Sequence, residues 1–197
     1  MRARAVATLL CALAVTAIAV AGGPSKRDAE LLKKKVATIQ RVAEKPAKKP
    51  VRTMVTEEEV NSYLVYEAGP SLPTGVIEPA VSILGTGRLS GRAVVDLDAV
   101  RKARKSTSMF DPMSYLMGKL PITAEGTFTS EQGVGHFQLE SAAVGSVPVP
   151  KSVLQEIISF YSRTPENPAG FSLDDPFALP AHIQEIQVLR GQAIIVQ

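Results

Sequence analysis

From Arg88 to Asp98 the chain reads RLSGRAVVDLD, and it alternates with a period of two. Leu89, Gly91, Ala93, Val95 and Leu97 fall on one face, and Arg88, Ser90, Arg92, Val94, Asp96 and Asp98 on the other. Successive side chains of a strand point to opposite sides of its pleat, so this pattern predicts a strand. Ten residues at ~3.3 Å each extend ~33 Å, which calls for a long, twisted sheet. Gly85-Thr86-Gly87 just before it then reads as a hairpin turn. A phosphate-cradling loop would need its glycines between a strand and a helix N-terminus. Here they lead into a strand, no GKS or GKT follows, and the spacing is not G-x-G-x-x-G.

The same period recurs along the chain. Val76 to Leu84 is β-like, and Pro79 within it marks an edge strand or a bulge. Pro121 to Ser130 sets Ile122, Ala124, Gly126 and Phe128 against Thr123, Glu125, Thr127 and Thr129; SEQG turns, and Val134 to Val144 returns. A closing hairpin runs from Ile183 to Leu189, turns at Arg190-Gly191 and ends at Gln197. Helical spacing appears between these runs. Thr56-Glu57-Glu58-Glu59 fits a capping box, and Val55, Val60, Tyr63 and Leu64 supply the stripe behind it. Pro150 suits the first turn of a second helix, whose stripe is Val153, Leu154, Ile157, Ile158 and Tyr161. Long antiparallel strands with few helices predict an α+β fold, a sheet of hairpins wrapped around or packed on two main helices. Gly91, Ala93, Ala124 and Gly126 leave room on the inner face, either filled by helix side chains or open as a groove.

The N-terminus reads differently. Arg2 and Arg4 precede an apolar run from Ala5 to about Ala21, and Ala19-Val20-Ala21 offers the small residues a signal peptidase reads. About 17 residues is short for a ~30 Å hydrocarbon core, so residues 1–21 are expected to be a secretory signal, with an uncleaved anchor as the alternative. Cys11 is the only cysteine and lies inside this run. Cleavage would leave an exported protein without disulfides, stable on its core alone; the bacterial periplasm or cell envelope is the expected destination.

Charge is unevenly spread. Pro24 to Thr53 holds ten Lys/Arg against three Asp/Glu, and Met54 onward ten against sixteen. The division expected is therefore a signal (1–21), a basic helical arm and linker (22–53) and an α+β domain (54–197). Leu31, Leu32, Val36, Ile39 and Val42 give the arm an amphipathic helix, and AEKPAKKPVR a linker. Such an arm is either a solvated tether or a partner for an anionic membrane surface. Nucleic-acid binding is not expected, because the folded part is acidic.

No catalytic set emerges, and neither enzymatic activity nor a cofactor or metal is expected. His136 and Glu140 lie ~13 Å apart along one strand, too far to share a metal ion, and Asp96 and Asp98 lie ~7 Å apart on a polar strand face. Ser90 and Ser141 lack a G-x-S-x-G setting. The segment STSMFDPMSYLMGKLP is more telling, since it holds three of the five methionines. Methionine adapts to varied apolar partners, so Met109, Phe110, Met113, Leu116 and Met117, with Val153 and Ile157, are the candidate apolar contacts for a ligand or membrane. The other reading of the Met/Phe segment is core filling.

Three stretches carry a family resemblance. VTEEEVNSYL resembles the opening helix of a group of bacterial envelope proteins, GSVPVPKSVLQEI their strand, Pro-x-Pro, helix passage, and LPAHIQEIQVLRGQAIIVQ their closing hairpin. These are the LmeA-like and YpmS-like proteins, whose fold resembles the TULIP (BPI-like) lipid-binding domains. The resemblance covers about Val55 to Gln197. It implies a long curved sheet wrapped round a helix, an apolar groove for a lipid or other amphiphile, and no catalytic residues. The competing expectation is an envelope scaffold or assembly factor that pairs a partner's strand along an exposed sheet edge.

Overall fold

The computed structural model describes residues 23–45, 49–103, 118–161, 167–170 and 172–197. Among these residues it is an α+β fold with a six-stranded antiparallel sheet, a smaller three-stranded sheet and four α-helices. The expected signal at 1–21 lies outside the described residues. Among the described residues no helix is long and apolar enough to cross a membrane.

Helix α1 (Lys26–Glu44) starts where Ser25 caps it, the Ser25 hydroxyl accepting from the Asp28 N–H at 3.1 Å. Its apolar stripe is buried at Ala29, Leu32 and Ile39. The helix is docked on the body: it packs against α2 (Glu57–Tyr66) and touches β1 (Arg52–Thr56). The boundary expected at 53/54 falls inside β1. That strand pairs antiparallel with β9 (Gln192–Val196), from Arg52↔Val196 to Thr56↔Gln192, and β9 pairs with β8 (Glu185–Leu189) to complete the small sheet. Reciprocal Val51–Gln197 backbone bonds of 2.9 and 3.0 Å extend the β1–β9 pairing.

The capping box of α2 is present as expected, with Thr56 and Glu59 satisfying each other's N–H groups. Its most buried residues are not the expected Val60, Tyr63 and Leu64, which are half-buried, but Glu59 and Ser62. The reason is that α1 lands on the Glu59–Ser62 side and supplies polar partners there. After α2 the chain makes a short 3-10 turn at Gly69–Ser71.

The long sheet runs β2 (Val76–Gly85), β3 (Arg88–Asp96), β4 (Lys119–Glu131), β5 (Val134–Val144) and β6 (Val147–Pro148), with β7 (Phe177–Ala178) also on β5. Pro79 breaks the register between Ile77 and Ala80, and β2 is the outermost strand, so both expectations for this proline hold. Helix α3 (Leu97–Ala103) follows β3 directly. Asp98 therefore lies in that helix, just beyond the end of the β3 strand face. Helix α4 (Lys151–Tyr161) follows Pro150 and meets the sheet at β5.

The small sheet closes one end of the large one. Strand β8 packs on β4 and β2, the Ser130 hydroxyl accepts from the Ile186 N–H at 2.7 Å, and Gly87 donates to the Val188 carbonyl at 3.3 Å. Ile83 and Val188 are buried, as are Val55 and Ile183. Buried packing is thus concentrated where α2 and the small sheet meet β2, with α1 packed on α2 behind them.

Candidate functional site

Cross-strand pairing decides which side chains share a face. Opposite Leu89, Gly91, Ala93 and Val95 of β3 stand Gly126, Ala124, Ile122 and Leu120 of β4. Opposite Phe128, Gly126, Ala124 and Ile122 stand Phe137, Leu139, Ala142 and Val144 of β5. On the other side of β3, Val81 and Ile83 of β2 face Gly91 and Leu89. The face so built is apolar across four strands, as the alternation predicts. The reverse face carries Arg88, Arg92, Thr123, Thr127, Gln138 and Glu140.

One extra residue in β5 keeps this face continuous. Ser141 pairs with Glu125 but Leu139 with Gly126, so Glu140 is bulged out. Glu140 then accepts from the Thr127 hydroxyl and lies 3.6 Å from the Arg88 guanidinium on the exposed face.

The middle of the apolar face is shallow and incompletely covered. Leu89, Ala93, Val95, Leu120, Ile122 and Ala124 are each only half-buried. A Cβ built on Gly91 meets no atom within 4 Å, whereas one on Gly126 meets the Phe137 ring and the Gln138 carbonyl at 2.5 Å. The two mid-strand glycines are therefore not equivalent: Gly126 yields its space to a phenylalanine, and the space over Gly91 is open among the described residues. The open stretch is a trough floored by Gly91, Ala93 and Ala124.

Aromatic rings close one end of it. Phe137 covers Gly126, and Phe177 stands over Gly135 and meets Phe128 with ring centroids 6.2 Å apart. Phe177 remains 45% exposed. It arrives on β7, a strand of two residues that no periodicity marks, and only the pairing Gly135↔Phe177 brings it here. Toward the other end, β2 is irregular at Glu78-Pro79. Beside it, on the side of the sheet that carries Arg92 and Thr123, a cleft of about 230 Å³ is lined by Glu78, Arg92, Ala93, Val94, Pro121, Ile122 and Thr123.

Of the residues expected to contact a ligand, Met109, Phe110, Met113, Leu116 and Met117 lie outside the described residues. Val153 is 43% exposed on α4, and Ile157 lies one turn further along that helix, its side chain outside the described set.

The polar candidates have structural roles. Asp96 accepts from the Ala99 N–H at 3.0 Å and Asp98 from the Gly118 N–H at 3.3 Å, so they hold the start and the exit of the α3 segment. His136 is exposed on the outer face, and His182 sits in a tight turn with φ of 53°. Among the described residues no three of His, Cys, Asp or Glu converge on one point.

The sheet edges differ. On β2, Asn61 holds both backbone groups of Val81, donating at 2.8 Å and accepting at 2.7 Å, and Glu57 accepts from the Ile83 N–H at 2.6 Å. The Ile83 carbonyl accepts from Gly191 at 2.8 Å. On β5, β7 covers Val134–Gly135 and β6 covers Ala143–Val144, and residues 136–141 between them take no further strand among the described residues. No protein-family model matches the chain, and neither does any curated protein.

Proposed function

We propose that this is an exported, non-catalytic protein of the bacterial cell envelope that holds a lipid or other amphiphile over the apolar face of its long sheet. The observation that carries this reading is Gly91, whose Cβ position is open among the described residues, in the middle of a four-stranded apolar face whose side chains are only half-buried. Ligand sites are concave and mostly apolar with few polar anchors, and a floor of Gly91, Ala93 and Ala124 gives an acyl chain room without a deep cavity. Phe128, Phe137 and Phe177 offer flat surfaces at one end. The resemblance to LmeA-like, YpmS-like and TULIP domains supports the same reading. In it Met109, Phe110, Met113, Leu116 and Met117, with Val153 and Ile157, complete the apolar surroundings of the ligand.

The edge of β5 at residues 136–141, which takes no further strand among the described residues, favours a second reading, a scaffold that pairs a partner's strand there. Native mass spectrometry on the full chain purified without detergent separates the two. A stoichiometric amphiphile, extracted and identified, supports the trough. A bare mass, with a protein partner lost when Leu139→Pro blocks the β5 edge, replaces it with the scaffold.

A further inference from the structure

Arg27, Lys34 and Arg41 recur every seven residues on α1, and all three are exposed. A straight helix drifts only ~20° per heptad, so they form one ridge. At 1.5 Å per residue the ridge is ~21 Å long, and it lies opposite the buried Ala29, Leu32 and Ile39.

Two neighbouring lysines are used internally. Lys35 lies 2.6 Å from the buried Glu59 carboxylate and also donates to the Met54 carbonyl at 2.7 Å. Lys33 is 2.6 Å from Glu67. The three ridge cations have no carboxylate within ion-pair distance among the described residues, although Glu30 and Glu44 stand on the same side of the helix.

The ridge is also held rigid. Ser25 N–H donates to the Ser62 hydroxyl at 3.0 Å, Lys35 locks on Glu59, and the Gln197 amide donates to the Ile39 carbonyl at 2.9 Å. It is therefore a fixed face of the body and not a loose tether.

We infer that this ridge is a docking face for an anionic lipid bilayer. Three features select that occupant. The ridge offers positive charge while the chain from Met54 onward holds ten Lys/Arg against sixteen Asp/Glu, so an anionic surface attracts one side of the molecule and repels the rest. Leu31, 38% exposed, stands between Arg27 and Lys34 and can enter the interfacial layer. The apolar run from Ala5 to Ala21 ends five residues before α1 begins, which puts the ridge next in sequence to a stretch that favours lipid. Nothing in this inference depends on what the sheet binds.

The test is flotation of the full chain with phosphatidylcholine vesicles, with and without about 30% phosphatidylglycerol. The apolar run acts on both compositions, so their ratio reads the charge effect. Each cation near such a surface is worth on the order of fivefold in binding. The triple variant Arg27→Gln, Lys34→Gln, Arg41→Gln should lower the ratio by about 100-fold, and charge-preserving R27K/K34R/R41K should retain it. A control with equal charge loss elsewhere, Lys102→Gln, Lys119→Gln, Arg190→Gln, should change it little. Circular dichroism should show the same melting temperature for all. A ratio near one for the native chain, or equal losses in ridge and control variants, overturns the inference. Tighter ridge-dependent binding to a single-stranded oligonucleotide than to the anionic vesicles also overturns it.

Discussion

Glu59 shows how one side chain can close several polar accounts at once. Its carboxylate accepts from the Thr56 N–H at 3.0 Å, completing the cap of α2, and also holds the Lys35 ammonium at 2.6 and 2.7 Å. It does so at 6% exposure. Removing one partner of a buried pair leaves the other charge desolvated and costs about 3 kcal/mol or more, while a lost cap costs about 1. Lys35 keeps 28% of its side chain exposed and recovers some hydration. Glu59→Ala should therefore destabilise by about 3 kcal/mol, lowering the melting temperature by roughly 6–12 °C for a chain of this size. Glu59→Gln, which can still accept from Thr56, should lose less. Urea denaturation of both variants checks the order, and equal losses would assign the whole effect to the Lys35 ion pair, since Gln keeps the cap. The Lys33–Glu67 pair is a contrast, being open to water. Its hydrogen bond and the Glu67 charge raise the Lys33 pKa above the ordinary lysine value. A raised pKa makes the pair's contribution full below the unfolded lysine value and lost as pH rises through the folded one.

At the scale of elements, α2 acts as a cover for a sheet edge. Asn61 replaces the missing neighbour of β2 by offering one donor and one acceptor to Val81, as a paired strand would. Asn61→Ala strands both backbone groups in a partly buried place and should cost about 2–3 kcal/mol. Amide exchange at Val81 should accelerate more than at Ser90 in the strand behind it; uniform acceleration would mean global destabilisation instead. The capping box and the hairpins were legible because their signals lie within a few residues of each other. What was not legible comes from pairings far apart in sequence. Arg52 and Thr53 read as the end of a linker and Val55-Thr56 as the entry to a helix, and only the partner β9, far along the chain, makes 52–56 a strand. Phe177 was hidden for the same reason, since two residues carry no period. The stripe of α2 was misjudged because burial there is set by where α1 lands, and the sequence does not give that geometry.

Over the whole molecule, packing is dense where the small sheet meets the large one and thins toward the centre of the long sheet. The alternation of β3 and β4 foretold the apolar face and its small residues, but it could not separate a filled floor from an open one. Among the described residues a Cβ at Gly126 meets a filled floor and one at Gly91 meets no atom. Gly91 has no positive φ and, among the described residues, no neighbour within 4 Å at its Cβ position. Gly91→Leu should then keep or slightly raise the melting temperature, because replacing glycine at a compatible position restricts the unfolded chain by about 0.4–1 kcal/mol. The same leucine fills the trough, so the amphiphile recovered with the detergent-free protein should fall several-fold. Gly126→Ala is the opposite case. Its methyl would meet the Phe137 ring and the Gln138 carbonyl at 2.5 Å, and overpacking of that kind costs about 1–3 kcal/mol. Thermal melts and extracted lipid, measured side by side on the two variants, decide the matter. Stable, lipid-poor Gly91→Leu beside destabilised Gly126→Ala is the pattern of an open trough that binds. A destabilised Gly91→Leu would show the floor already filled, and a stable Gly91→Leu that still carries its full lipid would move the ligand to another surface.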